Sequence, residues 1–452
     1  MSSNMETRKK AVLLAMEGIS AADPETAIKK SVKVEGSSLI VRDKRFPLKE
    51  SIYVIGAGKA SGKMAKAIEE LLGDRIKEGV VVVPEETVST FQSSRIEFIG
   101  STHPIPSEKS VVAGERIINL VKNLPEDSLI IALFSGGGSA LVEKPVEDIS
   151  IQDIALTSQL LMRGGADIYE LNAVRKHLSE IKGGWLAKHA HPTPIISLLI
   201  SDVVGDRIDT IASGPTAPDN TTFKDAIDAI EKYNLTDKIP KMVLEYISKG
   251  VKGLKPETPK PNDPIFRSVS NNIIASNIIS LEAMRRKAEE IGYNTMILSS
   301  MITGEAREVG KVLAGVGIEI SKSGNPITPP AVILAGGETT VTVRGGGKGG
   351  RNQELALSAA LILKGYNGIV LLSIGSDGRD GPTDAAGAVV DGYTIEKALE
   401  RGIDPKTYLY NNDSYTFFEK VGGLIKTGYT GTNVNDFIII IVEKKGEIKI
   451  EK

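Results

Sequence analysis

The stretch that decides the fold is IYVIGAGKASGKMAKAIEELL, residues 52–72. Ile52 to Ile55 is a short apolar run, GAGKASGK is a glycine turn, and Met64 to Leu72 has helical spacing, so the order is strand, turn, helix. The theme repeats along the chain. Val80 to Val83 is another apolar run, Leu129 to Phe134 ends in SGGGSAL, and Ile195 to Ile200 ends in SDVVGD. Strands this uniformly apolar, separated by helical stretches, predict a parallel sheet covered on both faces. In such sheets ligands sit beyond the carboxyl ends of the strands.

Upstream, Glu6 to Ile19 reads as an amphipathic helix and Lys33 to Val41 as a strand. Downstream, Lys249 to Asn262 is rich in Lys and Pro and reads as a linker. It divides the chain into domains 1–249 and 250–452, with roughly the first 40 residues open to docking on the second domain. Beyond it, Asn271 to Ala288 reads as a helix capped by Ser270 or Asn271, and Asn294 to Leu298 as a strand. Val332 to Leu334 and Ile369 to Ile374 are buried strands ending in GGE and GSDGRDGPTD. A turn at Gly336 and Gly337, an alternating strand Thr339 to Val343, the run GGGKGGRNQE (345–354) and a helix Gln353 to Leu363 follow the first of these. Asp436 to Val442 is the last strand. The fold class is therefore α/β with two domains, each a mainly parallel sheet layered with helices.

The formal charge of −2 over 452 residues leaves no broad basic footprint, which argues against nucleic acid as a partner. Zero Cys excludes disulfides, thiolate metal sites and a cysteine nucleophile. The apolar run Ala11 to Met16 is too short for a signal-peptide core or a membrane span, so the expectation is a soluble, cytoplasmic protein.

GAGKASGK is neither a Walker loop nor a full dinucleotide fingerprint. Ala57 and Met64 stand where the first needs Gly and Ser/Thr, and Ser61 where the second needs its third Gly. What remains is Lys59 at a strand-to-helix turn, placed to neutralise a phosphoryl group or else to sit on the surface. SGGGSAL offers backbone donors with Ser135, Gly136, Gly137, Gly138 and Ser139, an anion cradle or a tight packing turn. GGGKGGRNQE brings Gly347, Lys348 and Arg351 to a helix start, a second place suited to phosphate. Asp202, Glu338 and Asp377 stand at strand ends, where hard oxygens can hold magnesium or accept a hydroxyl proton. Asp206, Asp380 and Asp384 lie close by. In LNAVRKHLSEIKGG, Asn172, Arg175 and Lys182 are candidates to face substrate. The four His show no metal spacing, and THPIPS around His103 reads as a rigid turn.

Taken together, GAGKAS, THPIPSEKS, SGGGSALVEKP, LNAVRKHLSEIKGG, ISDVVGDRIDTIASGPTAPD, AGGETTV, GGGKGGRNQELAL, GSDGRDGPTDAAGAVVD and GTNVNDF resemble, in order, the two-domain glycerate 2-kinase family, whose C-terminal part is the MOFRL domain. The match covers Ile52 to Val442 and is poorest over 1–50 and 218–299. The resemblance implies a Rossmann-like N-terminal domain, a MOFRL-type region from about 330 in the second, and an active site in the cleft between domains. It implies ATP and Mg2+, or another divalent metal, with D-glycerate as substrate. The family's lysine falls on Lys59, its arginine on Arg351, and its acids on Asp202, Glu338 and Asp377. On this basis Lys59, Arg351 and Asp202 are expected to be catalytic, and Asp202 and Asp377 to hold metal. Residues 135–139, Gly347 and Lys348 are expected to bind nucleotide, and Asn172, Arg175, Glu338 and Asp377 substrate. A homodimer is the default assembly, although no motif sets an interface. Two rivals stay open: an NAD(P)-dependent oxidoreductase acting on hydroxypyruvate, and a non-catalytic sugar-phosphate-binding module.

Overall fold

A computed structural model describes residues 2–444. They form two compact units, one of residues 24–274 and one of 2–23 with 275–444. Among the described residues no helix is long and apolar enough to cross a membrane.

In the first unit, β1 (Val32–Glu35), β2 (Ser38–Val41) and β3 (Lys44–Pro47) make a small antiparallel sheet. The single strand expected over Lys33 to Val41 is thus a hairpin, turned at Gly36, whose φ is +58°. The main sheet contains β4 (Ser51–Ala57), β5 (Ile76–Pro84), β6 (Ile96–Ser101), β7 (Ser128–Phe134), β8 (Ile195–Ile200) and β9 (Val269–Ala275). Its order is β6-β5-β4-β7-β8-β9, and every pair from β6 to β8 is parallel. Every residue of β7 and β8 is buried, as expected for strands covered on both faces. Ile55, Val80, Ile117, Ile130, Phe134 and Leu199 belong to one core cluster, each side chain contributing about 1.5–3 kcal/mol by leaving water. The chain moves outward from β4 through β5 to β6, then returns to the other flank of β4 as β7. The carboxyl ends of β4 and β7 therefore bracket the point where the winding reverses, the place such sheets leave open for a ligand.

The Lys- and Pro-rich stretch 249–262 is not a boundary. It lies inside the first unit, and the division falls at 274/275. Buried partners hold it there: Glu257 Oε1 faces His177 Nε2 at 2.6 Å, Thr258 Oγ1 donates to Asp219 Oδ2 at 3.0 Å, and the Asp219 amide donates to the Pro259 carbonyl at 2.9 Å. Composition marks this stretch as polar but cannot show that its polar groups are already paired.

In the second unit, β10 (Asn294–Glu305), β11 (Ala331–Thr340), β12 (Ile369–Gly375), β13 (Gly387–Asp391), β14 (Leu424–Ile425) and β15 (Asp436–Val442) form a sheet ordered β10-β11-β15-β12-β13-β14. Only β10 and β11 pair in parallel; the other neighbours are antiparallel. The expectation of a mainly parallel sheet is corrected here. The last strand inserts between β11 and β12 running against both, and a fully apolar run such as DFIIIIV carries no mark of its direction. The N-terminal helix Ser2–Ala21 packs on this unit, against the helix Asn277–Glu290, β12 and β15.

Two local expectations also change. The helix predicted from Asn271 begins at Asn277 after Ser276, because Val269–Ala275 pairs as β9. Gly336 and Gly337 make no turn; they lie within the continuous strand β11, so no separate strand Thr339 to Val343 exists. Their smallness serves close approach instead. A Cβ on Gly336 would lie 1.9 Å from Asn277 Oδ1, and one on Gly337 would lie 2.1 Å from the Ile302 carbonyl.

Candidate active site

In the first unit, the turn after β4 and the turn after β7 are stitched together. The Lys59 amide donates to the Gly136 carbonyl at 3.0 Å, the Ala60 amide to Ser135 Oγ at 3.0 Å, and Ser61 Oγ to the Leu133 carbonyl at 2.9 Å. A Cβ on Gly58 would meet Ser135 Oγ at 2.1 Å, so this approach requires glycine. The expected Rossmann turn is present, with Ser61 used for packing where a fingerprint would have glycine.

Two consecutive glycines then make room for three polar side chains. A Cβ on Gly136 would lie 2.0 Å from Asp202 Oδ2, and a Cβ on Gly137 would lie 3.1 Å from His103 Cδ2 and 3.3 Å from Lys59 Cγ. Asp202 arrives from the end of β8, Lys59 from β4 and His103 from the turn after β6. A carboxylate, an ammonium stem and an imidazole thus surround one glycine loop at the reversal point of the sheet. This is chemistry suited to a phosphorylated ligand: a cation for its charge, backbone amides at a tight turn, and a hard oxygen. Of the three, Lys59 and Asp202 were foreseen. His103 was read only as part of a rigid turn, since nothing in THPIPS says which strand end it overhangs.

Ser139 is the second residue of the short helix Gly138–Leu141 and lies 2.7 Å, Oγ to Oγ, from Ser213. Ser213 Oγ donates to Asn172 Oδ1 at 3.2 Å, and Arg175 Nη2 donates to the Ser139 carbonyl at 3.3 Å. Asn172 and Arg175 are therefore brought to this loop. Burial disfavours the charged form of Arg175, with Glu143 acting the other way, and its buried Nε has no hydrogen-bond partner. Ala212 and Ser213, which sequence reasoning passed over, have φ of +51° and +61°. Such non-glycine conformations cost of order 1–3 kcal/mol each and persist where surrounding contacts impose them; here Ala212 comes so near Gly138 that a Cβ on the glycine would lie 2.8 Å from Ala212 Cβ. Lys182 turns away into a buried pair with Glu143, and burial pulls its ammonium down to about 8 against the pull of Glu143. It does not face the loop.

In the second unit the helix expected over Gln353 to Leu363 begins two residues earlier, at Arg351. Arg351 Nε and Nη2 donate to Asp436 at 2.6 and 3.1 Å, and Nη1 donates to Glu338 at 2.8 Å. Desolvation opposes the Arg351 charge, but Asp436, Glu338 and Asp380 outweigh it and hold the guanidinium charged. Asp436 was not foreseen as a site residue. It opens β15, opposite Gly337 of β11 and Gly375 of β12, so an antiparallel strand delivers its first residue to the end where its neighbours deliver their last. Asp377, just past β12, accepts from the Arg379 amide at 3.0 Å.

The glycine run expected to bring Gly347 and Lys348 to phosphate is bonded internally in the structure. The Gly347 amide donates to the Asn411 carbonyl at 3.0 Å, the Lys348 amide to Asp413 Oδ1 at 2.9 Å, and Lys348 Nζ lies 4.1 Å from the centre of the Tyr415 ring. The helix start is already occupied too: Asp380 accepts from the Asn352 and Gln353 amides at 3.0 and 2.8 Å. A phosphate would have to displace internal partners at the Gly347, Lys348, Asn352 and Gln353 amides. Among the described residues no cluster of three or more His, Cys, Asp or Glu is arranged to hold a metal.

Residues 10–248 match the model of a domain of unknown function, DUF4147, and residues 331–436 match the MOFRL family. Over 442 residues the chain is 44% identical to a protein from Pyrococcus horikoshii named glycerate 2-kinase, with 98% of each covered. The chain belongs to the glycerate 2-kinase family. A Thermotoga maritima D-glycerate 2-kinase is 39% identical over 96% of this chain and 98% of its own length. The crystal structure of a glycerate kinase from Thermotoga maritima superposes with a TM-score of 0.85 at 38% identity, covering 97% of this chain and all of the other. One further relative, 41% identical over 86% of each chain, is a putative hydroxypyruvate reductase from Agrobacterium vitis. The glycerate 2-kinase family thus accounts for the motif blocks of both units.

Proposed function

We propose that this chain transfers the terminal phosphoryl group of ATP to the 2-hydroxyl of D-glycerate, releasing ADP and 2-phosphoglycerate. The observation that supports it most directly is the convergence of Lys59, Asp202 and His103 on Gly136 and Gly137 at the reversal point of the first sheet. Phosphoryl transfer asks a protein for positioning and for charge stabilisation, which this loop supplies. The backbone of residues 135–139 and the Lys59 ammonium hold phosphate charge, and Arg175, with its unpartnered Nε, is available to an anion of the substrate.

Arg351 keeps one edge on buried Asp436 and exchanges its contact with exposed Glu338 for an anion, either the glycerate carboxylate or the transferring group. Glu338 and Asp377 orient the substrate around it. Magnesium is commonly held by one or two carboxylates together with substrate phosphates. Asp202 beside the glycine loop would supply one hard oxygen, and Asp377 is the other candidate ligand; the metal would neutralise phosphate charge. A homodimer and a cytoplasmic location belong to the same reading.

The test is incubation with ATP, magnesium and D-glycerate followed by phosphorus NMR. The expected product is ADP with 2-phosphoglycerate; a 3-phosphoglycerate signal would refute the position, and no ADP would refute the kinase. The Agrobacterium vitis relative favours a second reading, reduction of hydroxypyruvate with a nicotinamide cofactor. Loss of nicotinamide absorbance on adding hydroxypyruvate would support it, and the incomplete glycine fingerprint at Gly56 and Gly58 weighs against it.

A further inference from the structure

We propose that His103 is a further catalytic residue, taking the proton of the substrate hydroxyl as that hydroxyl attacks the phosphoryl group; this rests on the kinase reading above. The case begins with how the ring is held. Thr102 Oγ1 donates to the Ile105 carbonyl at 2.9 Å and lies 2.8 Å from Ser107 Oγ, and Ser107 caps the helix Glu108–Val121. The turn after β6 is thereby fixed and carries the imidazole across to the loop after β7. A Cβ on Gly137 would lie 3.3 Å from His103 Nε2 and 3.3 Å from Lys59 Cγ, so ring and lysine stem share one face of a single glycine. The neighbouring glycine is faced by Asp202.

His177 and His189 have ring nitrogens engaged by Glu257 and by the Ala173 and Glu180 carbonyls. Among the described residues the His103 ring, on a residue left largely exposed, has no such bond. The charged groups facing it are Lys59 after β4 and Glu86 after β5, with Asp202 after β8 beside the next glycine. Burial of part of the ring and the Lys59 ammonium both hold His103 below the ordinary imidazole value, with Glu86 opposing. The imidazole is therefore neutral and able to accept a proton at neutral pH, while the adjacent cation remains to stabilise phosphate. Neighbouring groups driven to opposite protonation states are the usual basis for dividing acid, base and electrostatic roles.

In the step proposed, the O–H bond of the glycerate 2-hydroxyl breaks and its proton moves to His103 Nε2. The hydroxyl oxygen forms the new bond to the terminal phosphorus as the bond from that phosphorus to the bridging oxygen breaks, and ADP leaves with that electron pair. The imidazolium then returns its proton to solvent. Asp202 is left to its metal-binding role.

The test uses the full-length chain with His103→Gln and His103→Asn, both retaining a polar, neutral side chain. Thermal unfolding should stay close to that of the parent, because the residue as a whole is largely exposed. With kcat/KM for D-glycerate followed between about pH 5 and 9, the expected result is a loss of about a hundredfold or more in kcat, the lower range for a general base, with KM for ATP little changed. The fall of the parent's rate at acid pH, caused by imidazolium formation, should disappear in both variants. Either variant within about threefold of the parent, or an acid-side fall kept at the same pH, overturns the assignment. If the parent itself forms no ADP, the kinase reading fails instead, so the two failures are distinct.

Discussion

Asp436 holds the Arg351 guanidinium along one edge, accepting from Nε at 2.6 Å and from Nη2 at 3.1 Å, while Asn352 Nδ2 donates to the same carboxylate at 3.0 Å. A two-pronged, charge-assisted contact fixes the plane of the guanidinium as well as its place. Replacing Asp436 by Asn keeps the shape but removes the charge. The expected outcome is a fall in kcat/KM of about ten- to a hundredfold, the worth of a charge-assisted hydrogen bond of about 1.5–3 kcal/mol. Steady-state kinetics of the folded variant checks this.

The same substitution has a pH signature in stability. Burial pushes the Asp436 carboxyl up to about 6 from its ordinary 3.8, with Arg351 pulling the other way. The folded protein therefore binds this proton more tightly than the unfolded chain. Stability from this group is greatest below its ordinary value and declines as pH rises to about 6. Thermal unfolding between these limits should show a decline in the parent that is absent in Asp436→Asn; parallel curves would show that Asp436 titrates normally.

Gly136→Ala should act on chemistry without a large effect on folding. Its Cβ would lie 2.0 Å from Asp202 Oδ2, the movable end of a side chain, so the carboxylate is driven away while the backbone stays. Turnover is expected to drop by about a hundredfold, as for misplacement of a positioned group. An active variant with unaltered metal dependence would remove Asp202 from the site.

Lys59→Ala and Arg351→Ala should each lower kcat by at least about a hundredfold, the loss of a preorganised electrostatic contact. Lys348→Ala, by contrast, should cost less than about tenfold, because Lys348 lies over the Tyr415 ring and its amide is bonded to Asp413. Equal losses at Lys348 and Lys59 would restore the glycine run as a phosphate site.

Glu257 supplies a second pH dependence of opposite sign. Burial raises its carboxyl, but the His177 hydrogen bond and charge outweigh this and pull it down to about 2. Its stabilising contribution is present above the ordinary 4.5 and is lost as pH falls through about 2. Glu257→Gln should flatten acid unfolding over that window and make residues 249–262 more accessible to protease, measured by limited digestion.

Lys59 and Asp202 were legible because each follows an apolar run that ends in a turn, and a parallel sheet sends all such ends to one edge. Arg351 was legible for its helix start. His103 and Asp436 were not, for different reasons. His103 lies after an edge strand, and its reach to Gly137 depends on a turn closed by Thr102 and Ser107. Asp436 begins a strand, and only the antiparallel insertion of β15 turns a strand beginning into a neighbour of strand ends.

By itself, the sequence determined that the chain is α/β, where most buried strands lie, which glycine loops follow them, and which family's motifs they carry, since these depend on local periodicity and residue type. Tertiary structure alone decided strand direction in the second sheet, the membership of residues 249–262 in the first unit, and the pairing of the Gly347 and Lys348 amides with Asn411 and Asp413. Those outcomes depend on which distant groups meet. A donor looks available in a sequence until the fold shows that a partner has already taken it.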